Sequence, residues 1–269
     1  MLKLVPTPIG NISDISLRAM DALSEADILL CEDTRVTKKL LNILKERYSL
    51  KTSEQQFISL HYHNEKEFVE QLEVSFFDQN IVYVSDAGMP GISDPAQLLV
   101  EYCLKNSVEY DVLPGANAVL TAFVASGFVT TQMLFFGFLA HKGKERNSML
   151  NSALHNGYTT VLYEAPHRLK KLLEEIKKEQ SQRVVFLAKE ITKKYQKFYK
   201  GTASELLIEL NSEIKGEWVV VIEAGDLHQN SAITKNDIEA LELPKKTKAK
   251  LISKITGENI KDIYTQLQE

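Results

Sequence analysis

The chain has 269 residues, of which 44% are apolar and 25% charged, and its formal net charge is −4, a composition typical of soluble globular proteins. This length favours about two domains, and no apolar run approaches the roughly 20 residues of a membrane helix, which excludes a spanning role. The acidic excess confines any contact with a polyanion to a local patch.

The first half alternates β-rich runs with amphipathic segments. LKLVPT predicts a strand, followed by a helix near Ser13 to Ala26, the strand DILLC, a helix near Thr34 to Arg47, the strand FISLHY and a helix near Glu65 to Phe77. The strand IVYVS, a helix from Pro95 to Lys105, the strand VEYDVL and a helix from Ala116 to Ser126 complete it. Strands separated by helices imply crossover connections and a mostly parallel sheet. Asn64 with Glu67 reads as a capping box, and Asp94 before Pro95 as the cap and first position of a helix. MLKLVPTPIG reads as a first strand and not as a signal peptide, so the expected location is the cytoplasm.

SGFVTTQ (126–132) breaks the rhythm. The strand MLFFGF, a polar basic helix from Lys142 to Asn151, the strand TTVLYE and the regular helix PHRLKKLLEEIKKE follow. RVVFLAKE, KFYKG, a helix near Ala203 to Ile214 and EWVVVIE come next, and two adjacent short strands predict a mixed sheet. AGDLHQNSAIT reads as a linker to three short helices, TKNDIEALEL, PKKTKAKLISKIT and ENIKDIYTQLQ, with Thr234 and Asp237 as a cap, Pro244 in a first turn and Gly257 as a stop. The expected division is an α/β domain over 1–128, a second α/β domain over 129–226, and a linker with a small helical domain over 227–269.

Cys31 and Cys103 lie in apolar contexts, and with scattered histidines they form no zinc spacing, so no metal is expected. Three loops carry the strongest signal: TPIGNIS after the first strand, SDAGMPGISDP after IVYV, and PGANA after YDVL. In an open parallel sheet these lie at the carboxyl edge, where ligand crevices form. Gly10, Gly88, Gly91 and Gly115 permit close backbone approach, and Asp86 offers an acceptor. Tight strand-to-helix turns are the plain alternative for any single loop. Neither GxxxxGK[ST] nor GxGxxG occurs, which disfavours nucleoside triphosphates and NAD.

CEDTRVTKKLL puts Glu32, Asp33 and Arg35 at a strand end, as a site wall or as an ordinary helix start capped by Asp33 or Thr34. His61 and His63 share a face if their strand persists, although a solvated strand end is the simpler account. YEAPHR places Glu164, His167 and Arg168 at another turn, and Lys189 and Glu190 precede a stretch of lysines and aromatics, Lys193 to Lys200. That stretch can pair phosphates and stack bases, or form the wet face of a strand pair. Lys245, Lys246, Lys248, Lys250 and Lys254, with no acid between them, fit a polyanion contact or a solvated helix face.

Taken together, LVPTPIGNISDISLRA, CEDTRVTKKLL, HYHNE, VSDAGMPGISDP, LPGANAVLTAFVASG, YEAPHRL, AKEITK and KGEWVVVIE resemble the ribosomal RNA small subunit methyltransferase I family, a branch of the S-adenosylmethionine-dependent tetrapyrrole (precorrin) methylases. The resemblance runs from about Leu2 to Glu223, and the C-terminal helices look like the same family's helical appendage. It implies a two-domain α/β fold, a parallel-sheet domain followed by a mixed-sheet domain, with S-adenosylmethionine in the cleft between them and a homodimer as the usual assembly. The implied reaction is 2′-O-methylation of a cytidine ribose in the decoding centre of 16S rRNA, within the small ribosomal subunit. Carried over by position, Pro8, Ser85, Asp86, Ala87, Gly88, Met89, Asn117, Ala118, Tyr163 and Glu164 are the expected donor contacts. Lys189, Glu190, Asp33, Arg35 and His167 are the candidates for acting on the ribose hydroxyl, with Arg35 and Arg168 better suited to orienting phosphate or ribose. The sequence departs from the family at Met89, at Ala165-Pro166 and at Ala116-Asn117. A tetrapyrrole methyltransferase, or a non-catalytic RNA-binding or ribosome-assembly protein, stands as the alternative.

Overall fold

The computed structural model describes residues 1–210, 214–225 and 235–267. Most of the expected linker, and the expected Thr234–Asp237 cap, lie outside the described residues.

The first half forms β1 (Leu2–Leu4), α1 (Leu17–Glu25), β2 (Ile28–Cys31), α2 (Thr34–Tyr48), β3 (Gln56–Ser59), α3 (Glu65–Glu70), β4 (Ile81–Val84), α4 (Gln97–Lys105), β5 (Tyr110–Val112) and α5 (Ala118–Ser126). The five strands pair in the order β3-β2-β4-β1-β5, all parallel. Helical crossovers cover both faces of such a sheet, so its central strands are apolar at every position. Leu29, Cys31, Val82 and Val84 pack on one face, Ile28, Leu30, Ile81 and Tyr83 on the other. All five carboxyl-end loops therefore open on one edge.

The second half forms β6 (Met133–Phe138), α6 (Gly143–His155), β7 (Thr159–Glu164), α7 (Pro166–Glu179), β8 (Val184–Lys189), β9 (Lys197–Thr202), α8 (Ala203–Glu209) and β10 (Trp218–Ile222). The order is β6-β7-β10-β8-β9, with β6 and β7 parallel and the other pairs antiparallel, a mixed sheet as expected. One face packs under α6, α7 and α8. The other receives α5: Val119 and Ala122 join Val161, Phe186, Ala188, Val219 and Val221 in one cluster. The last helix of the first half thus lies on the second sheet, which brings the loops of one half over the strand ends of the other. Lys200 fastens the far end of α5 by donating to the Ser126 carbonyl at 2.9 Å. The tail forms α9 (Lys235–Ala240), α10 (Lys245–Thr256) and α11 (Ile260–Gln266) around Ile238, Ala249, Ile252 and Ile263.

Several boundaries differ from expectation, each for a local reason. Asn11 caps a short 3-10 turn, Ile15 stays extended, and Ser16 caps the start of α1 by accepting from Ala19 N–H. Asn117 caps α5, so that helix begins at Ala118. The expected Glu65–Phe77 helix divides into α3 and a 3-10 turn at Val74–Asp78, because Phe77 turns back to stack on Tyr102. Asn64 makes no capping bond to α3; it accepts from His61 N–H and donates to the Ser59 carbonyl. β3 stops at Ser59, so His61 and His63 share no strand face and meet edge-on in the following turn. Asp94 and Pro95 do not open α4, which begins at Gln97 after Ala96. α6 runs on to His155, α8 ends at Glu209, and Pro244 sits at the cap of α10 instead of inside its first turn.

Candidate active site

A cleft of about 560 Å³ lies between the carboxyl-end loops of the parallel sheet and the ends of β7, β8 and β10. The β4–α4 loop supplies much of one wall: Asp86, Ala87, Gly88, Met89, Ile92, Ser93 and Asp94. Ile9, Glu32, Asn117 and Ala118 complete that side; Phe138, Tyr163, Ala188, Glu217, Trp218 and Val219 face them from the second sheet.

Backbone pairing shapes the loop. Thr7 and Gly88 exchange both N–H···O bonds at 3.0 Å, tying the loop after β1 to the loop after β4. Gly88 has φ +87, where a side chain is strained, and an added Cβ would come within 3.1 Å of Ile9 Cγ2. Ser85 is buried behind this turn and donates to the Gly88 carbonyl at 3.3 Å, while Thr7 donates to the Ser85 carbonyl. Pro8 sits between the paired Thr7 and the cleft-lining Ile9.

Acids dominate the polar lining. Glu32 accepts the Asp86 N–H at 3.1 Å, and Asp86 in turn accepts the Asp33 N–H at 3.0 Å. Burial, with Glu32 next, raises the Asp86 carboxyl. Burial and then Glu32 push Asp94 up to about 6. Tyr163 is pushed up to about 12, first by burial and then by Asp94 and Glu217; its ring packs against Phe135 and Phe138. Among the described lining residues there is no lysine, arginine or histidine.

Tyr163 and Glu164 point to opposite faces of β7, as successive strand residues must. Tyr163 joins the cluster under α5, whereas the Glu164 carboxylate, 0% exposed, is gripped by Arg168 at 3.0 Å and Arg146 at 3.5 Å. Arg146, 1% exposed, also binds Glu175 at 2.8 Å. Glu164 thus borders the cleft while its charge serves a buried ion-pair network on the far side.

Of the expected donor contacts, Asp86, Ala87, Gly88, Met89, Asn117, Ala118, Tyr163 and Glu164 line the cleft, whereas Ser85, buried beneath the Gly88 turn, and Pro8, next to the lining Ile9, are not among the described lining residues. The candidates for acting on the ribose hydroxyl fall elsewhere. Asp33 caps α2 and binds the exposed Arg35, which holds its carboxyl down at about 2. Lys189 lies over the Trp218 ring at 5.5 Å. Glu190, at φ 50, accepts from Glu217 N–H at 2.8 Å and from Lys193; burial raises its pKa, but these bonds outweigh it and the net shift is downward. His167 is exposed on the first turn of α7. None of the five is among the described lining residues.

Sequence reasoning missed Asp94, Ile9, Ile191, Glu217, Trp218 and Val219 as wall residues. Asp94 had a readable signal, since it shares a loop with Asp86, but Asp-Pro reads locally as a helix start. Ile9, Ile191, Trp218 and Val219 lie in stretches that carry the resemblance, but no reactive group marks them as wall residues.

The Tetrapyrrole (Corrin/Porphyrin) Methylases model matches residues 1–207. A ribosomal RNA small subunit methyltransferase I from Campylobacter fetus subsp. fetus (strain 82-40) is 47% identical over 269 residues, covering 99% of this chain and 99% of the relative. The chain belongs to the ribosomal RNA small subunit methyltransferase I family. Further members in Helicobacter pylori (strain J99 / ATCC 700824), at 42% identity with 99% of this chain and 96% of the relative covered, and Bacillus subtilis (strain 168), at 39% with 84% and 76%, agree. Solved structures extend the likeness at the level of fold. Diphthine synthase aligns with a TM-score of 0.61 at 14% identity, covering 84% of this chain and 91% of that one. Uroporphyrin-III C-methyl transferase from Thermus thermophilus, complexed with S-adenyl homocysteine, aligns at 0.54 and 16%, covering 82% and 96%. Membership makes this chain a methyltransferase.

Proposed function

We propose that the chain transfers the methyl group of S-adenosylmethionine to a cytidine ribose 2′-oxygen in the decoding centre of small-subunit ribosomal RNA. The relatives named ribosomal RNA small subunit methyltransferase I, similar along nearly the whole chain, support the RNA acceptor. The observation that carries the donor assignment is the anionic cleft: Glu32, Asp86 and Asp94 line it, Glu217 stands at its edge paired with Lys193 at 2.9 Å, and no cationic side chain is among the described lining residues. Such a site favours a ligand bearing positive charge and repels phosphates. S-adenosylmethionine carries a sulfonium, an ammonium and one carboxylate, a net positive charge, and the apolar surfaces of Ile9, Ala118, Ala188, Ile191 and Val219 suit its flat base.

Bound there, the donor supplies an electrophilic methyl on sulfur. The chain's own residues hold and exclude. The Thr7–Gly88 pairing fixes the turn that lets Ala87 and Gly88 approach a ligand closely. Asp86 and Asp94 face the cleft, Asp94 ionising as the pH rises through about 6, and the Phe138 and Tyr163 rings pack together along the opposite side. Alignment of the incoming hydroxyl with the donor is the expected main source of rate.

Basic surface outside the cleft fits an RNA acceptor. Lys246, Lys250 and Lys254 recur at every fourth residue of α10, about 6 Å apart along its axis. With Lys245 they are exposed, and none has an ion-pair partner among the described residues. Lys194, Lys197 and the 70%-exposed Tyr195 provide a second basic and aromatic strip. The same reading includes a homodimer and a small-subunit particle as substrate.

The test is incubation with labelled S-adenosylmethionine and small subunits lacking the modification, followed by nuclease mapping. Label on a ribose 2′-oxygen is expected; donor binding without transfer to the subunit, or transfer to a porphyrinoid instead, would overturn it. Changing Lys245, Lys246, Lys250 and Lys254 to alanine is expected to weaken subunit binding and lower its salt slope by about 3–4, while leaving donor affinity unchanged. An unaltered slope would remove α10 from the interface.

A further inference from the structure

The β4–α4 loop is long and contains no regular structure, yet it forms much of one cleft wall. Its first part is secured by the Thr7–Gly88 pairing. Its far end is secured differently. Ala96 has φ 127 and ψ −11, a conformation that costs a non-glycine residue, and it is 0% exposed. No side chain of its own loop caps α4. Instead Glu65, on α3, reaches across: one carboxylate oxygen accepts the Ala96 N–H at 2.8 Å and the Leu98 N–H at 3.2 Å.

Glu65 is only 7% exposed. A buried carboxylate is costly to place and needs compensation; here it receives two amides at the positive end of a helix, so the position is over-determined from both sides. Ala96 stands two residues after Asp94, and the strained peptide sets the direction in which the chain leaves the cleft. The buried Tyr83 hydroxyl has no hydrogen-bond partner among the described residues, and burial, then Glu32, Asp94 and Glu65, raise its phenol.

We propose that Glu65 is a positioning residue of the donor cleft: its carboxylate holds Ala96 in the left-handed backbone region and thereby fixes the wall from Met89 to Asp94, an inference that rests on the donor reading above. Glu65 itself does not line the cleft. It acts through Ala96, and its loss leaves the strained residue free to relax and carry Asp94 away from the ligand.

Calorimetric binding of S-adenosylmethionine to the full chain, with steady-state transfer to small subunits, tests this on Glu65→Ala, Glu65→Gln and each combined with Ala96→Gly. Glu65→Ala is expected to weaken donor binding by about tenfold or more and raise the donor KM in parallel, with kcat at saturating donor within about twofold. Glu65→Gln keeps an acceptor oxygen and should bind within about threefold of the native chain. Ala96→Gly adopts the same φ without strain, so it should recover about threefold of the deficit. Native-like donor affinity in Glu65→Ala, a fall in kcat alone, or no recovery with Ala96→Gly would overturn the proposal. If Glu65→Ala does not fold, Glu65→Asp, whose shorter side chain draws the carboxylate away from both amides, takes its place: a deficit narrowed by Ala96→Gly supports the clamp, and equal affinity with and without it refutes it. A native chain that takes up no S-adenosylmethionine would instead remove the donor reading itself.

Discussion

The two walls of the cleft are stabilised by opposite uses of the same side chain. On the parallel-sheet side, carboxylates touch backbone amides: Glu32 takes Asp86 N–H and Asp86 takes Asp33 N–H, each through one oxygen. On the mixed-sheet side, Glu164 is sealed between Arg146 and Arg168, and its charge is neutralised inside the core. An acid held by amides stays available to a cation in the cleft, whereas an acid held by guanidinium groups becomes part of the scaffold. Both kinds stand at strand ends beside the same cavity, so proximity alone does not separate ligand contact from structural support.

Breaking the scaffold side should have the largest effect. Arg146→Ala leaves Glu164 buried with one partner fewer, and it should destabilise the chain by about 3–5 kcal/mol, read as a lowered urea midpoint. A loss below about 1 kcal/mol would mean that the network bears little of the stability of that wall.

The sequence made the parallel half largely legible because strand, turn and helix alternate there with clear periodicity. It located the loops after β1, β4 and β5, and with them Asp86 to Met89 and Asn117. Pro166 and the leucine spacing gave α7 its observed limits, Pro166–Glu179. Three-dimensional crowding defeated the rest. Asp94 bears a local helix-start signature, yet it faces the cleft because Glu65 supplies the cap from another helix. Glu164 and Tyr163 read as a pair but face opposite sides. Lys189, Glu190 and His167 carry reactive groups at strand ends, and only packing reveals that Trp218, the Glu217 amide and open solvent receive them.

A smaller effect should sharpen the ligand side. Gly88→Ala forces φ +87 on a residue with a Cβ and presses it toward Ile9, which should cost about 1–2 kcal/mol of stability and weaken donor binding through the same turn. Thermal unfolding and calorimetry on one preparation check both. An unperturbed donor affinity would detach the Thr7–Gly88 turn from the site. The smallest change is expected at His167: His167→Ala should leave stability within about 0.5 kcal/mol and kcat within about twofold, since the side chain is exposed and outside the cleft. A hundredfold loss of kcat in the subunit assay would instead return it to the reacting groups.

The pH dependence of donor binding tests the anionic cleft most directly. Asp94 faces Glu32 and Asp86 from the parallel-sheet side and Tyr163 from the other, and its carboxyl titrates at about 6. Its folded-state pKa lies above the ordinary carboxylate value, so in the donor-free chain this group makes stability fall as pH rises from about 4 to about 6. Donor affinity runs the other way, because only the ionised form attracts a cation. Calorimetric titration of S-adenosylmethionine into the native chain and Asp94→Asn, from pH 7.5 down to pH 5, should show about a tenfold loss of affinity through pH 6 in the native chain. Asp94→Asn should bind weakly and without that dependence. Equal, pH-independent affinity in both would contradict the claim that these carboxylates receive the donor's positive charge.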